Sequence, residues 1–449
     1  MKIGIIYPRE KKVGLEAISI HWLLRIFNRA KTFFLDSDLS ELYNCEKILI
    51  SCHFENNYPY ILQMLSKANI EIFRKKRKQK IYLGGPVAVN PYPLYYFIDA
   101  FFIGSFDSNS VKELVENEKK LFVHESIFIP EEKEKVKISR KRDDIYFGLN
   151  NEKLLVEIQS GCRNRCYFCL LSWNTPLGFV NFKKLVEKVQ SMKFSKIFLI
   201  GSDIFSHPEI REIINFIANR NVEISFPSSR INEIEKFKDI IEKLKPKSFT
   251  IAPESSERIR NAMGKRFENE EILTACKVLK DCGVEHLKLY FMLGLPGETK
   301  EDLEEIAKLI SLLRKEFFVS VTFSVFVPKA HTPFQFAPFE DVKTLEKKNK
   351  LMKKLLKNVK AHFTNPKKAF IQMLLSIGNK DISQLLSYVY TYGLNYSVWV
   401  KTAQKLKIDI EKYSKEKDKS FVFDFENIDT GVSKNTLYKL YEKYKNKVG

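Results

Sequence analysis

The stretch SGCRNRCYFCLLSW, residues 160–173, carries three cysteines at positions 162, 166 and 169, directly after an apolar run. The spacing is C-x3-C-x2-C. A structural zinc site wants four ligands, most often two C-x2-C pairs. Here only three are present, and the nearest histidine downstream is His207. Three thiolates can instead hold three irons of a 4Fe–4S cluster and leave the fourth iron open to a substrate or cofactor. Cys162, Cys166 and Cys169 are therefore the candidate metal ligands and the centre of any chemistry.

Around this loop the sequence alternates between strand and helix patterns. Residues 151–340 contain LLVEIQS (154–160), KIFLIGSD (196–203), VEISFPSSR (222–230), SFTIAPES (248–255), HLKLYFMLGLPGE (286–298) and VTFSVFVPK (321–329). Helical runs such as EIREIINFIANR (209–220) and ENEEILTACKVLKDCG (268–283) lie between them. Six such units predict a partial TIM-type (β/α)6 barrel with its chemistry at the strand C-termini. The cysteine loop follows the first of these strands.

Residues 1–120 repeat the alternation on a smaller scale. KIGIIY (2–7), FFLD (33–36), KILISCHF (47–54), KIYLGGP (80–86) and AFFIGS (100–105) are strand-like, with helical runs at 14–27 and 57–70. Short apolar runs of this kind predict an α/β, doubly wound, flavodoxin-like domain that binds its ligand at the strand C-termini. Those ends carry Ser51, Cys52, His53, Gly84, Gly85 and Gly104. Residues 121–150, with the charged run EEKEKVKISRKRDD (131–144), read as a linker. Residues 341–449 read as a basic, mainly helical C-terminal region, interrupted by one strand-like piece, SFVFDF (420–425).

Composition narrows the class. At 449 residues and 44% apolar content the chain is long enough for two or three domains with cores of their own. The C-terminal region holds 23 lysines and 11 acids, and so carries +12 of the formal +20. Such a surface attracts nucleic acid, an acidic protein or an anionic cofactor, or is simply a solvated lysine-rich face. No apolar run approaches the ~18–20 residues of a membrane span. The opening MKIGIIYPREKK reads as a strand rather than a secretory signal, so a cytoplasmic location is expected. Seven cysteines, an odd number spread through a large chain, argue against a disulfide framework. Cys276 and Cys282 share no helix face, and Cys45 and Cys52 read as ordinary buried thiols.

The cysteine trio after a first barrel strand resembles the radical S-adenosylmethionine (SAM) superfamily. Longer strings resemble its cobalamin-binding proteins: FPSSRIN (226–232), FTIAPESSERIR (249–260), KLYFMLGLPGETKEDL (288–303), FVPKAHTPFQF (326–336), YGLNYSVW (392–399) and FENIDTGVSKNTLYKLYEKY (425–444). The N-terminal LGGPVAVNPYPLYYFIDAFFIGS (83–105) is similar to that group's cobalamin domain, so the likeness spans nearly the whole chain. It implies a 4Fe–4S cluster on Cys162, Cys166 and Cys169, with SAM on the open iron.

By the same likeness Phe168 meets the adenine, and Ser229 and Arg230 line the SAM site. Ser202 and Asp203 stand where the superfamily usually has a Gly-Gly-Glu-like turn, a departure from its pattern. Glu254 and Arg258 line the SAM site or substrate cavity, Lys265 pairs with the SAM carboxylate, and Gly294 and Gly297 let backbone approach adenine. Ser51, His53, Gly84, Gly85 and Gly104 are the candidate cobalamin contacts. The D-x-H-x-x-G string that places a histidine under cobalt is absent, so the lower face is open or the base stays on.

The activity implied is reductive cleavage of SAM followed by C-methylation of an unactivated carbon in a protein side chain, lipid or metabolite. A one-electron donor such as ferredoxin or flavodoxin is the implied partner. The alternative is a methylthiotransferase-like enzyme acting on RNA through the basic C-terminal region. That chemistry usually needs another cluster, for which the N-terminal sheet offers only Cys45 and Cys52. A non-enzymatic metal-binding protein is a third reading. His331 could exchange protons with a substrate or be a buried histidine of a rigid loop; Tyr290 and Phe291 read as core.

Overall fold

The computed structural model describes residues 1–449 apart from Asn221 and Phe226. Five parallel strands open the chain: β1 (Ile3–Tyr7), β2 (Lys31–Phe34), β3 (Lys47–Ser51), β4 (Lys80–Gly84) and β5 (Ala100–Phe102). A sixth, β6 (Ile127–Phe128), runs antiparallel to β5 at the edge, giving the order β2-β1-β3-β4-β5-β6. Runs such as IGIIY are apolar throughout because both faces of the sheet are covered. Helices Ile18–Ile26 and Ser108–Glu116 cover one face through Ile20 and Val111, which pack with Ile5. Helix Tyr58–Lys67 covers the other through Ile61 and Leu62, which pack with Ile6 and Ile50. With β6 the N-terminal unit extends beyond residue 120.

The charged run 131–144 is not a bare connector. Ser139–Arg140 pairs with Gly104–Ser105, and Val136–Lys137 pairs in parallel with Ile428–Asp429. These strands are two residues long, too short to show a side-chain period. β7 (Tyr146–Asn150) then runs antiparallel to β8 (Lys153–Glu157), a hairpin inside the stretch expected to be a linker.

The central unit consists of two sheets. β8, β9 (Lys196–Ile200) and β10 (Glu223–Ser225) are parallel neighbours. β11 (Ser248–Glu254), β12 (His286–Leu293) and β13 (Phe318–Val325) are parallel neighbours in the second sheet. A Ser229–Ile251 bridge crosses the seam. β14 (Lys360–Phe363) adds to β13 in parallel, past the expected limit at 340. One set of alternate strand residues, including Leu154, Ile197, Leu199, Ile251, Leu289 and Val321, shares a core with helices Ile210–Ala218, Asn269–Asp281 and Lys300–Leu313. Alternation and helical period thus interlock, as in β/α units generally. Thr299 starts the last of those helices by accepting from the Asp302 amide, while Asp302 accepts in return.

Beyond β13 lie helices Val342–Leu355, Pro366–Ile377, Lys380–Val389, Tyr396–Lys405 and Lys434–Val448. Phe370, Leu374, Leu385 and Trp399 belong to the same core as Ile61 and Tyr92 of the N-terminal unit. SFVFDF forms no strand. Its phenylalanines Phe421, Phe423 and Phe425 pack on one another, and Phe423 packs on Phe336, so their alternation records ring packing rather than a ladder. Among the described residues no helix is long and apolar enough to cross a membrane.

Candidate active site

The cysteine loop leaves β8 through Gly161, whose φ of +61° and close approach to the Thr175 carbonyl (2.6 Å from an added Cβ) admit only glycine comfortably. Cys162 and Cys169 are half-buried, Cys166 is buried, and all three are free thiols. The loop is pinned by Trp173 Nε1 donating to the Cys166 carbonyl at 2.9 Å and by the Tyr167 amide donating to the Met263 carbonyl at 3.0 Å. Asn164 Nδ2 lies 3.4 Å from Cys162 Sγ and donates to Asp203 Oδ2 at 3.0 Å. Burial pushes the Cys166 thiol up to about 11, against the pull of Lys265 and Arg230. Among the described residues no three His, Cys, Asp or Glu side chains are placed to hold one metal ion. Three thiols that each serve a different iron of a cluster need not converge, so this donor set fits a 4Fe–4S group.

Beside the loop, several buried polar atoms have no partner among the described residues: Asp203 Oδ1, Ser229 Oγ, Arg230 Nε and Ser255 Oγ. Buried polar groups are nearly always satisfied, so such a set marks a place for a polar ligand. Burial raises the Asp203 carboxyl, and Arg230 and Asn164 lower it. Glu254 holds a left-handed backbone at φ +71°, a strain that functional sites often retain. It accepts from Lys265 Nζ at 2.8 Å, so the Lys265 charge is already matched within the chain. Phe168 is half-buried against the core, and Ser202 is exposed. FPSSRIN begins at Phe226, which lies outside the described residues.

Other expected contacts are turned elsewhere. Arg258 donates to the Val448 carbonyl at 2.7 Å, the Gly297 carbonyl at 2.8 Å and Asp302 Oδ2 at 2.6 Å, which fixes the last helix. Cβ atoms added at Gly294 and Gly297 would meet Leu345 at 2.6 Å and Val448 at 2.9 Å, so their close approach serves the chain's own C-terminal helices. His331 is buried, bonded to the Val89 carbonyl at 3.2 Å, and lowered to about 4 by burial, as a structural histidine. Phe291 is core, but Tyr290 is 43% exposed on the face opposite the helices.

A cavity of about 240 Å³ joins the N-terminal sheet to this centre. Ser51, His53, Gly84, Gly85 and Gly104 all line it, together with Arg142, Glu157 and Ser160 of the central unit. Ser160 stands two residues before Cys162, so the cavity reaches the cysteine loop. Gly85 and Gly104 adopt φ of +118° and +97°, and added Cβ atoms would strike the Cys52 and Ser139 carbonyls at 2.1 and 2.3 Å. Those two glycines answer to the chain's own backbone. Gly84 alone is open, with Phe102 Cβ 3.7 Å away. His53 Nε2 lies 3.4 Å from both Ser19 Oγ and Ser51 Oγ, and burial lowers it to about 4, so it is neutral at ordinary pH. Burial raises the Glu157 carboxyl, opposed by Arg142 at 2.7 Å. Sequence reasoning missed Ser19, Arg142 and Glu157. Arg142 sits in SRKRDD, where nothing separates a half-buried, paired arginine from its solvated neighbours.

Residues 156–310 match the radical SAM superfamily, and residues 26–122 match the N-terminal region of radical SAM proteins. The thiol loop and the core behind it are thus those of a radical SAM enzyme. Within that class the chain belongs to the family of the Methanocaldococcus jannaschii protein MJ0966, to which it is 32% identical over 414 residues, covering 86% of this chain and 90% of that protein. A tRNA-2-methylthio-N(6)-dimethylallyladenosine synthase of Clostridium botulinum is 25% identical over 268 residues, 52% of this chain and 56% of that enzyme. The putative methylthiotransferase MJ0865 of Methanocaldococcus jannaschii is 24% identical over 327 residues, 64% of this chain and 66% of that protein. In fold the chain is similar along its whole length to the cobalamin-dependent SAM radical enzyme OxsB with aqua-cobalamin bound, with a TM-score of 0.54, 12% identity and 80% of that chain covered.

Proposed function

We propose that the chain is a cobalamin-dependent radical SAM enzyme that cleaves SAM reductively and C-methylates an unactivated carbon. In this reading the N-terminal unit is a flavodoxin-like cobalamin domain and the central unit a partial (β/α)6 barrel. The observation that carries it is the cavity shared by Ser51, His53 and Gly84 with Glu157 and Ser160, of which Ser160 stands two residues before Cys162 in sequence. When bound, cluster and SAM supply a carbon-centred radical through 5′-deoxyadenosyl hydrogen abstraction, and cobalamin supplies the methyl group that such a radical accepts.

The chain's own residues bind and orient. Cys162, Cys166 and Cys169 hold the cluster. Asp203, Ser229 and Arg230 offer unpartnered atoms to the polar groups of SAM, with Phe168 beside the adenine. Neutral His53 and the Ser19 and Ser51 hydroxyls offer hydrogen bonds but no charge to the cavity. A ferredoxin- or flavodoxin-like donor supplies the electron. Protein reconstituted anaerobically with iron, sulfide and SAM is expected to yield 5′-deoxyadenosine on reduction, and to take up hydroxocobalamin with a shifted visible spectrum. A Cys166→Ala variant that still formed 5′-deoxyadenosine would refute the cluster assignment, and an unshifted spectrum the cobalamin assignment.

A second reading, methylthio transfer to RNA, is favoured by the likeness to the tRNA enzymes. Against it, Cys45 and Cys52 are both buried and offer two thiols where a second cluster wants three. Filter binding of total tRNA over a salt series separates the two, because phosphate contacts weaken steeply with salt.

A further inference from the structure

On β11, β12 and β13 the residues facing the helices are apolar, among them Ile251, Leu289 and Val321. The alternate residues, facing the other way, include Thr250, Lys288, Tyr290, Ser320 and Thr322. The inside of a closed β/α barrel is normally filled by Val, Ile and Leu. This face is polar and open, with Tyr290 43% exposed. Toward the N-terminal ends of the strands it leads into a cavity of about 740 Å³.

Six lysines line that cavity: Lys153, Lys196, Lys243, Lys245, Lys247 and Lys288. Among the described lining residues Glu223 is the one carboxylate. Lys196 pairs with Glu223 at 2.5 Å, Lys153 pairs with Glu16, and Lys243 donates to Asn215 Oδ1 at 2.7 Å. Lys245, Lys247 and Lys288 make no ion pair with any described residue. Lys245 also sits in a left-handed conformation at φ +43°, next to Pro246, which stiffens the Lys-Pro-Lys loop.

We infer that the substrate carries a phosphate or diphosphate group that seats among Lys245, Lys247 and Lys288. This rests on the reading above of a radical SAM enzyme, to which it adds that the substrate lies along the open face of the barrel. Several unmatched ammonium groups outweigh the single charge of a carboxylate, whereas a phosphate ester carries about −1.5 to −2. Lysine also suits phosphate as a movable point charge, where planar carboxylate recognition favours arginine. Glu254 pairs in register near Phe291, at the end of β12 toward the cysteine loop. Lys288 lies three to four residues below, about 10–13 Å at the ~3.3 Å rise of a strand. The substrate is therefore extended, with its anion at the floor and its reacting carbon near the cofactors.

The test is calorimetric titration of the full-length protein with inorganic pyrophosphate over a salt series, with succinate as the carboxylate probe. Pyrophosphate is expected to bind at one site and succinate not at all. Lys288→Gln should weaken pyrophosphate about tenfold or more, as for loss of one charged hydrogen bond. Lys443→Gln, on the last helix and outside the cavity, should leave binding unchanged. No binding, equal binding by Lys288→Gln, equal loss in Lys443→Gln, or succinate binding as tight as pyrophosphate would each overturn the inference. Should circular dichroism show Lys288→Gln misfolded, Lys247→Gln on the exposed loop reads the same loss. Formation of 5′-deoxyadenosine by the wild type is measured in parallel. If it forms while pyrophosphate is ignored, the substrate inference falls alone; if pyrophosphate binds but it does not form, the underlying reading falls and takes the substrate assignment with it.

Discussion

Glu298 follows the Gly294–Gly297 turn with a fully buried side chain, and its Oε1 has no partner among the described residues. Burial raises it to about 7, against the Lys348 ammonium at 2.8 Å and the Gly294 amide, with Glu340 adding to the rise. A carboxyl whose folded value exceeds its unfolded one binds its proton more tightly when folded. Its contribution to stability is complete below about 4.5 and is lost as pH rises through about 7. Wild type should therefore lose more thermal stability between pH 5 and 7.5 than Glu298→Gln, by scanning calorimetry in matched buffers. Asp203→Asn keeps the Asn164 contact in reach but removes the charge beside Arg230. It should weaken SAM about tenfold in equilibrium dialysis, the worth of one charge-assisted hydrogen bond. At this scale the radical SAM class was legible, because three thiols within eight residues have few other uses. Arg142 and Glu157 were not, since their pairing is made across the hairpin of β7 and β8 and leaves no trace in local composition.

At the scale of elements, the long apolar strands and amphipathic helices were legible from period alone. The two-residue strands of 136–140 were not, because backbone pairing without side-chain alternation has no sequence signature. Gly85 follows β4 with its backbone against the Cys52 carbonyl, so Gly85→Ala should cost several kcal/mol, roughly the upper range for strained backbone sites. Urea unfolding would read this as a lower midpoint with unchanged slope. Helix Pro366–Ile377 is capped by Asn365, whose side chain accepts from the Lys367 amide at 2.9 Å. Asn365→Ala should cost about 1 kcal/mol by the same measurement.

At the scale of the whole molecule, Glu55 of the N-terminal unit is buried against Lys329 from the loop after β13, at 2.7 Å, and accepts from Gln372 Nε2 at 3.0 Å. Lys329→Met strands a buried carboxylate and should cost about 3–5 kcal/mol. The double variant Glu55→Gln, Lys329→Met should recover part of that loss. The mixed α/β character and the large helical content could be read from the sequence. The packing of the N-terminal unit against the C-terminal helices could not, because contacts between residues some three hundred positions apart impose no local pattern.

Ile61, Leu62 and Tyr92 share one core with Trp399 and Tyr441. On a ribosome adding roughly 5–20 residues per second, the N-terminal unit waits some tens of seconds with the apolar surface that meets Trp399 and Tyr441 uncovered. Final compaction thus waits for the residues around Trp399 and Tyr441 to emerge, and a chaperone that shields nascent chains should raise the yield of this protein in heterologous expression.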